Sequence, residues 1–340
     1  MVAVVTGGTG FIGGHLVEVL RSRGVEVRLL RRAESRRGAG MDDASTHFVD
    51  FADAEALTHS PVWRGVTHCF HLGAATRARS AAEFERHNVA PTRHIARALA
   101  ARGDTPPRLV YLSSLAASGP APAADSPRRE TDEPAPVEAY GASKLAGERA
   151  VAEFADRVPV TVIRPAAVYG PRDRDFLEAF RQALAPIAVY AAPAEQRLSI
   201  VHVRDVVGAV LAAADSPAAV GRTYFVAAER SVSWRELYGA VAAAAGRSLR
   251  AVQLPAWTLA AGAALGPLFA RRGTVPLVSP HKVALARPRW WTCDASRARA
   301  ELGWHAAVSF DDGVRETYAW YRDAGWLPAH SGVAGSIAPR

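Results

Sequence analysis

The sequence has few cysteines and almost no lysine. Cys69 and Cys293 are its two cysteines, too few for a framework of disulfides, which excludes a small disulfide-stabilised secreted domain. No basic stretch followed by an apolar run precedes the first strand-like residues, so we predict no signal peptide and a cytoplasmic location. Two of the 41 basic residues are lysines, Lys144 and Lys282, and the other 39 are therefore arginines.

The charge of the chain is positive but dispersed. A net charge of +8 favours an anionic ligand or an anionic lipid surface as a partner. The arginines are scattered rather than gathered in one stripe, so we predict no nucleic-acid partner. A chain of 340 residues with 49% hydrophobic and 22% charged residues is long enough for one large or two ordinary globular domains.

One tyrosine–lysine pair stands out against the shortage of lysine. Tyr140 and Lys144 belong to the segment YGASK and would lie one turn apart on the same face of a helix. An ammonium group beside a phenol can assist proton transfer, so the pair is a candidate for acid–base catalysis. The alternative is an ordinary exposed helix pair.

The amino-terminal segment combines a strand, a glycine turn and a helix. Val2–Thr6 is a short β-branched run, and a helical pattern covers His15–Ser22. Between them, Gly7, Gly10 and Gly13 have the spacing G-x-x-G-x-x-G. Glycines in this context allow the backbone to approach a pyrophosphate, and the helix N-terminus supplies N–H groups. We therefore predict a dinucleotide-binding site.

Four segments resemble the extended short-chain dehydrogenase/reductase family, which includes NAD(P)-dependent epimerases and dehydratases. They are TGGTGFIG from Thr6, YGASK, RPAAVYGP from Arg164 to Pro171 and TCDASRARAELGW near the end, and the resemblance extends nearly to Leu327. It implies an α/β fold with a doubly wound parallel (Rossmann) sheet and a smaller, mostly helical C-terminal substrate domain. It also implies that the protein is an NAD(P)-dependent oxidoreductase.

The pattern along the chain predicts how these domains divide it. We expect residues 1–170 to form the dinucleotide domain, with 198–228 returning to it, 171–197 and 229–327 to form the substrate domain, and 328–340 to be a frayed tail. A long helix is predicted over Ser80–Arg102. Further strands are predicted at Val25–Leu30, Phe48–Asp50, His68–Leu72, Arg108–Leu112 and Val160–Arg164, and Leu198–Val203 and Thr223–Val226 are predicted to return to the sheet.

Two arginines follow the second predicted strand, where folds that select NAD usually have an acidic residue. The guanidinium groups of Arg31 and Arg32 match a 2′-phosphate, so we predict NADP(H) as the preferred cofactor, with NAD(H) as the alternative. A second interpretation of the segment RRAESRR is an ordinary solvated loop. The resemblance implies the other cofactor contacts, which are Gly7, Gly10, Phe11, Ile12, Gly13, Asp50, Phe51, Leu72, Ala74, Tyr140, Lys144 and Pro165.

The resemblance also assigns roles to four catalytic candidates. It implies that Ser114 binds the substrate oxygen, and Ser113 is its close competitor. Tyr140 would be the acid and base, and Lys144 would lower its pKa by a few units together with the oxidised cofactor. Asn88 would hold a water for proton exchange, and the alternative for it is an exposed helical asparagine.

The segment HCFH, from His68 to His71, contains residue types that bind metals. Strand alternation places His68 and Phe70 on one face and Cys69 and His71 on the other. Because these side chains do not converge, we predict no metal site.

Departures from the family patterns bear on the substrate. Leu115 and Ala116 occupy the places of an acidic pair in sugar-nucleotide 4,6-dehydratases, and Ala167 occupies the place of an asparagine that holds the diphosphate in epimerases. They favour the branch that resembles 3β-hydroxysteroid dehydrogenases and dihydroflavonol reductases. We therefore predict interconversion of a secondary alcohol and a ketone on a steroid-, flavonoid- or lipid-like small molecule. The alternatives are an NDP-sugar epimerase or reductase and a dinucleotide-sensing protein without turnover.

The uncharged segment 251–270 supports a lipophilic substrate. Its length would suit a membrane span, but its prolines and small residues weaken the apolar driving force. We predict that it covers the substrate, and peripheral membrane contact is the alternative. The resemblance also implies a homodimer formed through the helices that carry Asn88 and Tyr140.

Overall fold

A computed structural model describes residues 1–32, 45–190, 192–253 and 284–327. The predicted tail, most of the uncharged segment 251–270 and most of the RRAESRR segment lie outside these residues. No helix in the described ranges is long and apolar enough to cross a membrane.

Seven parallel strands form the main sheet. They are β1 (Val2–Thr6), β2 (Glu26–Arg31), β3 (Thr46–Phe48), β4 (His68–His71), β5 (Arg108–Leu112), β6 (Val160–Pro165) and β11 (Thr223–Val226). Their spatial order is β3-β2-β1-β4-β5-β6-β11, in which the direction of strand succession reverses between β1 and β4. This order confirms the predicted doubly wound parallel sheet.

Helices and short strands complete the described fold. The short strands are β7 (Ala167–Tyr169), β8 (Ala188–Val189), β9 (Arg197–Leu198), β10 (Ile200–His202), β12 (Val232–Ser233), β13 (Ala251–Val252) and β14 (Trp290–Trp291). The helices are α1 (Phe11–Ser22), α2 (Ala54–His59), α3 (Ala81–Phe84), α4 (Ala90–Ala100), α5 (Leu115–Ser118), α6 (Ala139–Ala152), α7 (Asp175–Ala183), α8 (Val203–Asp215), α9 (Trp234–Ala244), α10 (Ser296–Leu302) and α11 (Phe310–Asp323).

Hydrophobic residues cover both faces of the main sheet. Val5 and Phe70 belong to one buried cluster, whereas their neighbours Val4 and Cys69 belong to the other. Successive strand residues point to opposite faces, so each strand contributes to both cores. Burial on both sides explains why these strands are nearly continuous apolar runs in the sequence.

The predicted third strand is shifted. The strand is Thr46–Phe48, and the last ladder bond beyond it runs from Val49 N to Arg31 O over 2.9 Å. Asp50 lies in the turn that follows, where its carboxylate accepts from the N–H of Ala52 at 2.8 Å. The prediction that this strand ends in Asp50 was wrong because the side chain of Asp50 stabilises a turn instead.

One part of the expected return to the sheet is also different. The strand β11 pairs with β6 in parallel, as predicted. However, β9 pairs with β12 and β14, and β10 pairs with β7, so residues 197–202 do not belong to the main sheet. The strand β7 begins two residues after β6 ends, and its partner β10 therefore lies beyond the carboxyl edge. The domain boundaries themselves stay a prediction.

The predicted long helix contains a wider turn. Between α3 and α4, residues Glu85–Val89 form a π-helical turn, and the N–H of Ala90 bonds to the carbonyl of Glu85 five residues earlier. Pro91 follows directly in the first turn of α4. Proline has no N–H and its ring crowds the preceding turn, which favours a widened helix at this point. Asn88 lies within the π turn.

Candidate active site

The glycine turn after β1 has the shape of a pyrophosphate cradle. Gly7 has a φ angle of +70°, and a Cβ atom on Gly13 would lie 2.1 Å from the carbonyl oxygen of Gly7. The turn therefore requires glycine at both positions. Helix α1 follows it, with Gly10 as a cap that offers no side-chain acceptor and with no carboxylate in its first turn. Unpaired N–H groups at a helix N-terminus fit the phosphates of a dinucleotide.

The loop after β4 touches this turn. A Cβ atom on Gly7 would lie 2.6 Å from the backbone nitrogen of Gly73. Leu72 and Ala74, which are predicted cofactor contacts, flank Gly73 and are half-buried. The two loops thus meet where the strand order reverses, which is the usual ligand site of doubly wound sheets.

The two arginines after β2 differ in exposure. Arg31 is buried, and its guanidinium lies 5.7 Å from the centre of the Phe48 ring. Arg32 is exposed, and one of its amino groups lies 3.0 Å from Nδ1 of His87. Arg32 is therefore the more accessible of the two for a phosphate group. The side chain of Phe51 belongs to the buried core, which leaves its backbone for a cofactor contact.

The start of helix α6 brings Tyr140 to Ser114. The carboxylate of Glu138 caps the helix and accepts from the N–H groups of Tyr140 and Gly141 at 2.6 and 2.5 Å. A Cβ atom on Gly141 would lie 2.3 Å from the carbonyl oxygen of Ala116, so glycine allows α6 to contact α5. Ser114 caps α5, and its hydroxyl lies close enough to the Tyr140 phenol to influence its pKa.

Ser113 and Ser114 have different partners. The buried hydroxyl of Ser113 donates to the carboxylate of Glu148. Glu148 also accepts from Arg164, at 2.8 Å from Nε and 2.6 Å from Nη2. Ser113 is therefore engaged in a buried cluster, and the role of Ser114 in binding the substrate oxygen stays a prediction.

Burial dominates the electrostatics of Tyr140. Burial raises the pKa of the phenol above its ordinary value, and the negative charge of Glu138 raises it further. The hydroxyl of Ser114 acts in the opposite direction, and the charge of Asp175 adds to the increase. The predicted lowering involves the oxidised cofactor as well as Lys144, so it stays a prediction, while in the protein by itself burial raises this pKa.

Lys144 is buried one helical turn after Tyr140 on α6. Its ammonium lies 4.4 Å from the centre of the Tyr111 ring, and the side chain is 2% exposed. Burial lowers the pKa of Lys144 to about 7, although the carboxylate of Glu148 one turn later on α6 acts to raise it. Lys144 can therefore gain or lose a proton near neutral pH.

The side chain of Asn88 forms hydrogen bonds with the backbone of one residue and with the hydroxyl of another. Its Oδ1 accepts from the N–H of Ala75 at 2.7 Å, and its Nδ2 donates to the carbonyl of Ala75 at 3.0 Å and to Ser143 Oγ at 2.9 Å. It is 1% exposed, so the alternative of an exposed helical asparagine was wrong. The predicted water-holding role stays a prediction.

Sequence reasoning missed three carboxylates around the site. Glu148 lies four residues after Lys144, and this helical spacing was a usable signal. Asp175 accepts a hydrogen bond from Arg77 at 2.8 Å. These two residues are far apart in the sequence, so no local spacing indicated the contact. Asp173 accepts from the N–H groups of Asp175 and Phe176 at the start of α7, and burial raises its pKa to about 7.

The HCFH segment places its side chains as alternation requires. The rings of His68 and Phe70 stack with their centres 6.2 Å apart, while Cys69 is buried in the opposite core. Across the described ranges, no three histidine, cysteine, aspartate or glutamate side chains come together as a metal site.

These features define a class. A doubly wound sheet with a glycine turn at its reversal point, and a serine, tyrosine and lysine grouped beside it, is the arrangement of a dinucleotide-dependent oxidoreductase of the extended short-chain dehydrogenase/reductase type. The chain belongs to the NAD dependent epimerase/dehydratase family, whose model matches residues 3–227. It is therefore an enzyme of that type.

Similar proteins of known name fall into two groups, reductases and epimerases. The chain is 29% identical to a ceramide reductase from Caulobacter vibrioides, with 96% of each chain covered. It is 28% identical to a 2-alkyl-3-oxoalkanoate reductase from Stenotrophomonas maltophilia, with 94% of this chain and 99% of the relative covered. A UDP-glucose 4-epimerase from Thermus thermophilus, solved with NAD, has a TM-score of 0.74 and 25% identity, covering 95% of this chain and 100% of that one.

Proposed function

We propose that the protein is an NADP(H)-preferring oxidoreductase that interconverts a secondary alcohol and a ketone on a hydrophobic small molecule. The observation that carries the proposal is the proximity of the Ser114 hydroxyl to the Tyr140 phenol, which follows from the close packing of α6 on α5. A carbonyl oxygen that meets both hydroxyls is oriented and can be protonated in one place.

Reduction of a ketone requires a hydride for its carbon and a proton for its oxygen. A bound nicotinamide supplies the hydride that forms the new C–H bond. Tyr140 gives its phenolic proton to the carbonyl oxygen, which becomes the alcohol. Because burial raises the pKa of Tyr140, the phenol carries this proton throughout the neutral range. The phenol is thus in the protonated form that reduction requires.

Lys144 stabilises the negative charge that this step creates. Loss of the phenolic proton leaves an anion on Tyr140, one helical turn from the ammonium group. A nearby anion stabilises the charged form of Lys144 and raises its pKa from the value of about 7 that burial imposes. Lys144 therefore stabilises the tyrosinate until a proton returns.

The preference for a hydrophobic substrate has support from both residues and relatives. Leu115 is buried beside Ser114, and Ala116 and Ala167 offer no charge or amide to a sugar nucleotide. Two of the relatives are named for lipid-like substrates, a ceramide and a 2-alkyl-3-oxoalkanoate. An NDP-sugar epimerase is the second candidate, favoured by the fold of the UDP-glucose 4-epimerase.

Peripheral membrane contact near residue 251 is part of this proposal. Ile187, which directly precedes β8, is 60% exposed, and Val252, in the paired strand β13, is 44% exposed. Two exposed aliphatic side chains at this strand pair would suit contact with a lipid surface or with a lipophilic substrate. A homodimer through α4 and α6 remains part of the proposal as well.

Substitution of Tyr140 by phenylalanine tests the chemistry. Tyr140→Phe keeps the ring and removes the proton donor, so turnover should fall about 100-fold or more while NADPH still binds. Turnover is measured as NADPH oxidation with acyl, steroid and flavonoid ketones beside UDP- and dTDP-sugars. Unchanged turnover would refute the role of Tyr140, and turnover with the sugar nucleotides alone would refute the lipophilic substrate.

A further inference from the structure

Four hydrogen bonds join the ends of β1 and β4 to the π turn. The donor–acceptor distances are 3.1 Å from Gly73 N to Thr6 Oγ1, 2.6 Å from Thr6 Oγ1 to His71 Nδ1, 2.8 Å from His71 Nε2 to Thr92 Oγ1, and 2.5 Å from Thr92 Oγ1 to Asn88 O. Thr6, His71, Thr92 and Asn88 are each 1–2% exposed. The sequence pattern indicated no function for any of these contacts.

The two ends of this hydrogen-bond chain determine its direction. The carbonyl of Asn88 accepts the proton of Thr92, so the oxygen of Thr92 accepts from His71 Nε2–H. His71 Nδ1 then accepts from the hydroxyl of Thr6, which accepts from the N–H of Gly73. The ring of His71 is therefore the neutral Nε2–H tautomer. Burial, with a smaller contribution from the charge of Lys144, lowers the pKa of His71 to about 3 and favours this neutral form.

A chain of this kind holds groups in place and does not carry a proton. It begins at a backbone N–H and ends at a backbone carbonyl, and neither end exchanges a proton with a substrate. Proton transfer along it would leave Gly73 without its amide proton. The chain therefore acts on position alone.

The side chain of Asn88 fixes the other end of the same loop. It bonds both backbone groups of Ala75, at 2.7 and 3.0 Å, and the hydroxyl of Ser143, which precedes Lys144. The loop Gly73–Ala75 is thus held through Gly73 by the hydrogen-bond chain and through Ala75 by the amide. It is the loop that contacts Gly7 in the glycine turn.

We propose that His71 is a positioning residue, which, through Thr6 and Thr92, holds the loop Gly73–Ala75 and the π turn in the geometry that receives the dinucleotide. The proposal rests on the proposed function in that it requires dinucleotide binding. His71 does not contact the reacting atoms. Its effect is on the affinity for the cofactor, because a loop that is already in place costs less to order on binding.

Thr92→Val tests this role with a change of almost the same size. It removes the acceptor of His71 Nε2–H and the donor to Asn88. We expect the Kd for NADPH, measured by fluorescence titration, to increase about tenfold. Thr92→Ser restores the hydroxyl and should return the Kd to within about twofold of the wild type.

Thr317→Val is the matched control. Thr317 is also a buried helical threonine, and its hydroxyl donates to the carbonyl of Gly313 four residues earlier at 2.6 Å. Loss of this bond should lower the Tm about as much as Thr92→Val does, with no change in the Kd for NADPH. Equal Kd values for Thr92→Val and the wild type would overturn the positioning role.

Two further results separate this proposal from the proposed function. A wild-type protein that binds neither NADPH nor NADH would overturn both. The tautomer of His71, read from a long-range proton–nitrogen NMR spectrum, is independent of activity. An Nε2–H ring supports the direction of the chain, whereas an Nδ1–H ring would overturn it and leave the proposed function untouched.

Discussion

Two ion pairs of similar length flank the candidate active site, one beneath it and one at its rim. Beneath it, Arg164 and Glu148 are 2.6 Å apart, with side chains 6% and 10% exposed. At the rim, Arg77 and Asp175 are 2.8 Å apart, with side chains 67% and 61% exposed. Their distances would suggest equal strength, but their surroundings do not, because water screens the second pair and not the first.

The two ion pairs differ in how firmly their charged groups are held in place. The buried pair is bound by Ser113 and lies behind Lys144, so its charges are fixed. The exposed pair joins the loop after β4 to the start of α7 and can separate at little cost. The buried pair therefore forms a firmly held floor, and the exposed pair forms a more loosely held rim.

Breaking each pair in turn should give the largest difference. Glu148→Ala leaves the guanidinium of Arg164 buried without its carboxylate, and we expect a loss of about 3–5 kcal/mol in the free energy of unfolding. Arg77→Met, the matched control at the rim, should cost about 1 kcal/mol or less. Urea denaturation of both variants measures these losses. Equal losses would contradict the distinction between the floor and the rim.

The sequence was most informative where the signal was local. The strands Val2–Thr6 and Arg108–Leu112 have the predicted boundaries because buried parallel strands are short apolar runs with clear ends. The position of Tyr140 and Lys144 on one helix follows from their spacing. These features depend on residues within a few positions of one another.

Contacts between distant residues were not predictable in this way. Thr6 and His71 are 65 positions apart, and nothing in either segment indicates that their side chains bond. The raised pKa of Tyr140 depends on burial and on Asp175, which also comes from a distant part of the chain. The π turn had a local signal, Pro91 inside a helical pattern, and it could have been predicted.

The two arginines after β2 show the same contrast between a buried and an exposed charge at the predicted cofactor site. Arg32 is exposed, so Arg32→Ala should weaken NADPH binding about tenfold or more, because it removes a charged hydrogen bond to the 2′-phosphate, and should leave NADH binding unchanged. Arg31 is buried against Phe48, so Arg31→Met should change the free energy of unfolding more than the ratio of NADPH to NADH affinity. Isothermal titration with both dinucleotides measures the ratio. If Arg31→Met changes the ratio more than Arg32→Ala, this assignment is wrong.

The smallest expected effect concerns the rim and the pH dependence of alcohol oxidation. The charge of Asp175 raises the pKa of Tyr140, so Asp175→Asn should lower it, and the rise of kcat/KM with pH for oxidation by NADP⁺, in which tyrosinate is the base, should begin at a lower pH. Arg77→Met leaves Asp175 without its cation and should move the same rise to a higher pH. Both shifts should be less than about one pH unit, because the rim is exposed to water.

The opposite signs make this test sharper than either variant alone. A general change in folding or in substrate access would move both profiles in the same direction, whereas an electrostatic effect on one phenol must move them apart. Asp156→Asn, an exposed carboxylate just beyond the far end of α6, is the control and should leave the profile unchanged. Shifts that vanish in about 1 M salt would identify the rim as the source, because screening at that ionic strength acts over about 3 Å and spares the buried floor.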